Sequence, residues 1–192
     1  MNADLWFTAR GDEGASKWSR FSKYVITFLK FGLHTKFPHV MVEVGEKDGY
    51  AQLVSAEMKR GVRIVSAEHY IKGPYHVSVR RNNGLTVGER RCVAKSATYL
   101  VGQDYAWGPT LGQLLGYRFA GWLANRTYGK KNCSWAAGFA YWTAPVRNLF
   151  YKRHSGKLLE PGQLRPRDIE WSTRNEVDSS WQEIYSLEPV GE

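Results

Sequence analysis

Cysteine is scarce in this chain. Only Cys92 and Cys133 occur in 192 residues, one in a charged helical stretch and the other at a capped helix start. That leaves too few for a disulfide framework or a structural zinc site, and reduced thiols are expected. Long hydrophobic runs are also missing. The longest, Tyr24 to Leu33, is broken by Lys30 and Gly32 and is too short to span a bilayer. The opening Met1-Asn2-Ala3-Asp4-Leu5-Trp6 has neither the basic nor the apolar region of a secretory leader. A reducing, cytoplasmic-like context, or export by a non-classical route, is the expectation. Acidic residues are the minority charge, with 18 Asp and Glu against 27 Lys and Arg and a net charge of +9. Such a surface attracts polyanions, whether nucleic acid, a membrane surface or an anionic wall polymer, and charge alone does not choose among them. The basic residues are dispersed and no nucleic-acid module signature accompanies them, so an ordinary solvated face is favoured over a dedicated polyanion site. No metal or cofactor motif is seen, and none is expected. Without repeats or a break in composition, residues 1–192 read as one domain, with a core of about 3–170 and a C-terminal extension, 171–192. Oligomeric state is not legible.

The alternation of apolar residues predicts strands over residues 3–9, 37–45, 50–56, 61–65, 75–80 and 181–187, with Glu46 to Gly49 as a hairpin turn. Helices are predicted for Ser16 to Leu33, where Trp18, Phe21, Tyr24, Val25, Phe28 and Leu29 follow helical spacing, and for Val87 to Val101, with Cys92, Val93, Ala97, Leu100 and Val101 available for its buried side. Leu111 to Asn125 reads as a further helix, and Glu160 to Asp168 as an extended connection. Strands that follow one another in this way predict an α+β fold built on a mainly antiparallel sheet.

Lys131-Asn132-Cys133-Ser134-Trp135 opens another helix. Asn132 is a capping residue, Ala136, Ala137 and Ala140 form a close-packing face, and Phe139, Tyr141 and Trp142 carry the apolar bulk. A cysteine at a helix start sits among unpaired N–H groups and at the positive end of the dipole. Both favour thiolate, and Lys130 and Lys131 add charge of the same sign. A buried, inert thiol is the commoner identity for a free cysteine. A nucleophile needs a base, and His39, opening a β-branched strand, is the leading candidate; His34, His69, His76 and His154 are weaker. The residue orienting the ring is placed on the returning strand. Glu57 comes first because a carboxylate can hold an imidazolium electrostatically; Ser55 follows, and Gln52 is third.

Four stretches carry a resemblance. Asp4-Leu5-Trp6-Phe7-Thr8, Phe37-Pro38-His39-Val40 with Val42-Glu43-Val44, Gly61-Val62-Arg63, and Asp104-Tyr105-Ala106-Trp107 followed by Asn132-Cys133-Ser134 occur in the order seen in circularly permuted papain-like cysteine hydrolases of the NlpC type. Glu160 to Ile169 is similar to that family's closing segment. The match spans about residues 3 to 143, and the lecithin:retinol acyltransferase-like branch is similar more loosely. Trp135 departs from the acidic residue many relatives carry, and Pro38 from a small polar one. The resemblance implies a permuted papain-like α+β domain and a thiol-dependent hydrolase, a cysteine peptidase or amidase, with peptidoglycan peptides as a natural substrate class. Cys133 is then nucleophile, His39 general base and acid, and Glu57 the orienting residue. The looser branch implies an acyltransferase or lipid hydrolase working through a cysteine thioester on an acyl substrate. A catalytically inactive basic binding module is the third reading.

Overall fold

A computed structural model of the chain describes residues 2–10, 39–57, 60–105, 130–144, 150, 161, 164 and 166–188. The helices expected over Ser16 to Leu33 and Leu111 to Asn125 lie outside the described residues. The elements are β1 (Leu5–Arg10), β2 (His39–Lys47), β3 (Tyr50–Glu57), β4 (Gly61–Ser66), α1 (Glu68–Ile71), β5 (Tyr75–Asn82), α2 (Val87–Thr98), β6 (Asp104–Tyr105), β7 (Lys130–Lys131), α3 (Cys133–Thr143), α4 (Pro166–Ser172) and β8 (Trp181–Leu187). Six strands form one sheet in the order β4-β3-β2-β1-β5-β8, every neighbour antiparallel, and β6 and β7 make a short parallel pair. The fold is thus a mixed α+β one, a multi-stranded antiparallel sheet packed against helices.

Side chains alternate across a strand, and here both faces of the sheet are covered. On the first face Leu5, Phe7, Val40, Val42, Val54, Ala56 and Val62 meet Val93, Ala94 and Ala97 of α2 and Ala136, Ala137, Ala140 and Tyr141 of α3. On the second, Trp6, Met41, Leu53, Val77 and Val79 meet Ala67, just before α1, and Tyr70 of α1. Burying a side chain such as Leu5 or Phe7 stabilises by about 1.5–3 kcal/mol, so β1 is held in the middle of the sheet from both sides.

Polar bonds tie the same strands. Arg81 clamps the buried Asp4 at 3.0 and 2.6 Å, Trp6 Nε1 donates to Glu43 at 3.2 Å, and the Tyr141 hydroxyl donates to the Ala3 carbonyl at 2.6 Å. Buried Arg80 donates to the Glu170 carbonyl and to Thr173 Oγ1, pinning α4 and the turn after it to β5.

The turn between β2 and β3 is Asp48-Gly49, with φ of 55° and 78°, the mirror-image geometry that matches strand twist. In α2, Cys92 is exposed and Val101 is 40% exposed, against the expectation that both face the core. Each residue turns a helix by about 100°, so Cys92 falls on the side away from Val93, Ala94 and Ala97. The helix itself ends at Thr98, before Val101. Pro166 to Asp168, read from the sequence as extended, begins α4, consistent with proline at a first helical position. The segment read as a C-terminal extension supplies β8, whose Trp181 is fully buried in the first-face core.

Gly61 opens β4 at φ +68°, and a Cβ there would lie 2.5 Å from the Gln103 carbonyl oxygen, which accepts from Val62 N–H at 2.8 Å. Gly49 has a similar φ but open space around it. Gly49→Ala is expected to cost only the left-handed conformation, about 1–2 kcal/mol. Gly61→Ala is expected to cost about 1–3 kcal/mol more, through displacement of that carbonyl. Urea denaturation midpoints of the two variants check this; equal losses would show that the close approach of Gly61 to Gln103 carries no energetic weight.

Candidate active site

Asn132 stops the extended chain and starts α3. Its backbone is extended, and its side-chain oxygen accepts from Trp135 N–H at 2.8 Å and from Ser134 Oγ–H at 3.2 Å. Ser134 Oγ also lies 2.7 Å from the Leu164 carbonyl, which docks Leu164 on the helix. There Gly138 leaves room for Leu164, whose Cδ1 would lie 2.3 Å from any Cβ. Cys133, the first residue of the helix, is 8% exposed. Its sulfur accepts from the backbone N–H groups of Val40 and Ser134, and its side chain is hydrogen-bonded to His39. The residue pair singled out from the sequence therefore meets, at the first residue of β2 and the first residue of α3.

On its other side the ring reaches β3: His39 Nε2 lies 3.0 Å from Ser55 Oγ. A bulge in β2 makes this possible. Near the turn the pairs are Lys47↔Tyr50, Glu46↔Ala51 and Gly45↔Gln52; past the irregularity between Glu43 and Gly45 they become Glu43↔Leu53 and Val42↔Val54. One extra residue in β2 exchanges the faces of β3 relative to β2. Continued to the strand end, this register puts Ser55 and Glu57 on the same face as His39 and Met41.

Of the three residues considered for orienting the ring, Ser55 makes the direct bond. Glu57 stands one place back, accepting from Ser55 Oγ–H at 3.5 Å and clamped by Arg63 at 3.1, 3.1 and 2.9 Å. Gln52 bonds back to the Tyr50 carbonyl and takes no part. Two members of the array were not singled out from the sequence. Arg63 sits directly across from Ser55 in the β3–β4 pairing, so the pattern of that hairpin could have revealed it. Tyr70, whose side chain is hydrogen-bonded to Ser55, comes from a four-residue helix with no periodicity to read.

Burial opposes charge on both partners, yet each shifts toward its charged form. For His39, burial lowers the pKa, but the hydrogen bond to Cys133, the charge of Cys133 and that of Glu57 raise it, and the net direction is up. For Cys133, burial raises the pKa, while the bond to His39, the charge of His39 and the N–H groups of Val40 and Ser134 bring it down. A thiolate–imidazolium pair in low dielectric is the state this arrangement favours. Of the weaker histidines, His69 packs against Tyr70 and Tyr75, His76 has a buried Nδ1 without a partner, and His34 and His154 lie outside the described residues. Among the described residues, no group of three or more His, Cys, Asp and Glu side chains is gathered to hold a metal ion, and no helix is long and apolar enough to cross a membrane.

The shifts fix a pH profile. A lowered thiol and a raised imidazole give a window in which both are charged, opening as pH rises through the lowered cysteine value and closing above the raised histidine value. With Cys92→Ser as background, iodoacetamide should alkylate Cys133 with an apparent midpoint well below about 8.5, where an ordinary thiol ionises. In His39→Ala the midpoint should move up, because burial then loses its largest opponent. Identical profiles in the two proteins would mean that the ring does not hold the thiolate.

Set beside models of known protein families, curated proteins and solved structures, the chain matches none, so its functional reading rests on this geometry and on the residue pattern.

Proposed function

We propose that the protein is a thiol-dependent hydrolase that cleaves amide bonds by nucleophilic catalysis, on a domain of permuted papain-like type. The observation that carries the reading is the hydrogen-bonded Cys133–His39 pair at a helix start, with its two pKa values moved toward the charged forms. Cys133 thiolate attacks the amide carbonyl, forming the C–S bond as the carbonyl electron pair moves to oxygen. His39 imidazolium gives its proton to the leaving nitrogen as the C–N bond breaks. Water then adds to the thioester, its proton taken by His39, and the C–S bond breaks to return the thiolate.

The helix start also supplies a donor for the oxyanion. Trp135 N–H is taken by the Asn132 side chain and Ser134 N–H by the Cys133 sulfur, which leaves the N–H of Cys133 itself. With Ser55 on His39 Nε2, Nδ1 is the nitrogen that serves the thiol. The net charge of +9 suits an anionic substrate, and peptidoglycan peptides are the class proposed, in keeping with the family the residues resemble.

Cys133→Ala should reduce amide cleavage of soluble muropeptides to background, and His39→Ala should lower kcat by about 10²–10⁴-fold. New amino groups are counted by amine-reactive labelling. Fatty acid released from phospholipid vesicles, or acyl groups moved to an added amine, with muropeptides untouched, would redirect the same thioester chemistry to lipid hydrolysis or acyl transfer. Binding to the wall polymer that survives Cys133→Ala, without turnover of any of these substrates, would overturn the catalytic reading.

A further inference from the structure

The hydroxyl that touches the His39 ring has more neighbours than it has protons. Ser55 is fully buried. Its oxygen lies 3.0 Å from His39 Nε2 and donates toward Glu57 Oε1 at 3.5 Å, and Tyr70 bonds to it as well. A serine hydroxyl has one proton and two lone pairs, and a tyrosine hydroxyl has one proton. Glu57, clamped by two guanidinium nitrogens of Arg63, accepts and does not donate. The Ser55 proton is directed at Glu57, so a Tyr70 hydroxyl bonded to Ser55 gives its own proton to it, and the Ser55 oxygen is left as an acceptor on the side of the ring.

We propose that Tyr70 and Arg63 are positioning residues of the Cys133–His39 pair. Together with Glu57 they fix the direction of the Ser55 hydroxyl, so that Ser55 accepts from His39 Nε2–H and leaves Nδ1 as the basic nitrogen. This rests on the thiol chemistry proposed above and adds to it the device that selects the tautomer. The array draws on four elements besides β2: Cys133 from α3, Ser55 and Glu57 from β3, Arg63 from β4 and Tyr70 from α1, with Tyr75 of β5 behind Tyr70. Stability does not account for the ion pair, since the Arg63 and Glu57 side chains are 38% and 25% exposed and such pairs contribute little. The same charge stabilises the imidazolium once formed, as the upward push of Glu57 on His39 shows.

The test uses the full chain with Cys92→Ser, reading Cys133 alkylation by iodoacetamide from pH 5 to 10 and the ¹⁵N shifts of the His39 ring. Glu57→Gln removes the acceptor-only end, because a carboxamide both donates and accepts. Its alkylation rate near pH 6 should fall about tenfold, because the thiolate is held less well, while the rate near pH 10, where any thiol is ionised, stays at the parent value. Above the pH at which the ring loses its charge, its signal should change from the Nε2–H tautomer to a mixture. Arg63→Met should act in the same direction, and Arg63→Lys should restore part of the loss. Tyr70→Phe should lower the rate near pH 6 by a smaller factor. Should Tyr70→Phe not fold, the partly exposed Arg63 variants and Glu57→Gln decide.

Profiles and ring shifts of Glu57→Gln and Arg63→Met that superimpose on the parent would overturn the positioning proposal and leave the thiolate–imidazolium pair standing. A parent profile indistinguishable from that of His39→Ala would instead remove the pair itself, and the thiol chemistry with it.

Discussion

A strand buried on both faces exposes its chemistry only at its ends, and that constraint governs this fold. β2 lies between β1 and β3, with Val40, Val42 and Val44 turned to one core and Met41 to the other. Its first residue, His39, stands where the two faces meet. From the first face comes Cys133, at the start of the helix covering that core; from the second comes Ser55, on the side where Tyr70 packs. A histidine two residues further along, in the place of Met41, would be enclosed by the apolar neighbours of the second core.

The sheet is held for this purpose by polar bonds as well as burial. The bonds of Arg81 to Asp4, of Trp6 to Glu43 and of Arg80 to the Glu170 carbonyl fasten the strands around β1 to one another and to α4. Breaking one partner of such a bond strands a buried charge or donor, which costs more than the bond itself contributes. Register is therefore strongly specified around β1 and β2, as it must be if a ring and a thiol on separate elements are to meet within a hydrogen bond.

What the sequence made legible was local. Asn132 before an apolar, alanine-rich run announces the start of α3, Asp48-Gly49 announces the hairpin, and a β-branched run after His39 announces β2. The antiparallel sheet follows from strands in succession. Ser55 was harder to place, because its face depends on one extra residue in β2, and Gly45, the one mark of that bulge, reads equally well as the start of the turn. Without it Ser55 would turn to the opposite core, so the choice among Glu57, Ser55 and Gln52 could not be made by counting back from the turn. Cys92 and Val101 were placed inward because they are apolar, but helix phase and the stop at Thr98 decide otherwise. Tyr70 was invisible because a one-turn helix has no period, and its place follows from tertiary packing alone.

His39 and Cys133 depend on each other for their charge. Burial is the largest single influence on each, and it works against the charge on each. Deprived of His39, the thiol keeps only the N–H groups of Val40 and Ser134 against that burial. Deprived of Cys133, the ring keeps only the more distant charge of Glu57. Each charged form favours the other, because each supplies the hydrogen bond and opposite charge that offset the other's desolvation. Behind the ring, Ser55 bonds the face of His39 that Nε2 presents, and Glu57 accepts in turn from Ser55.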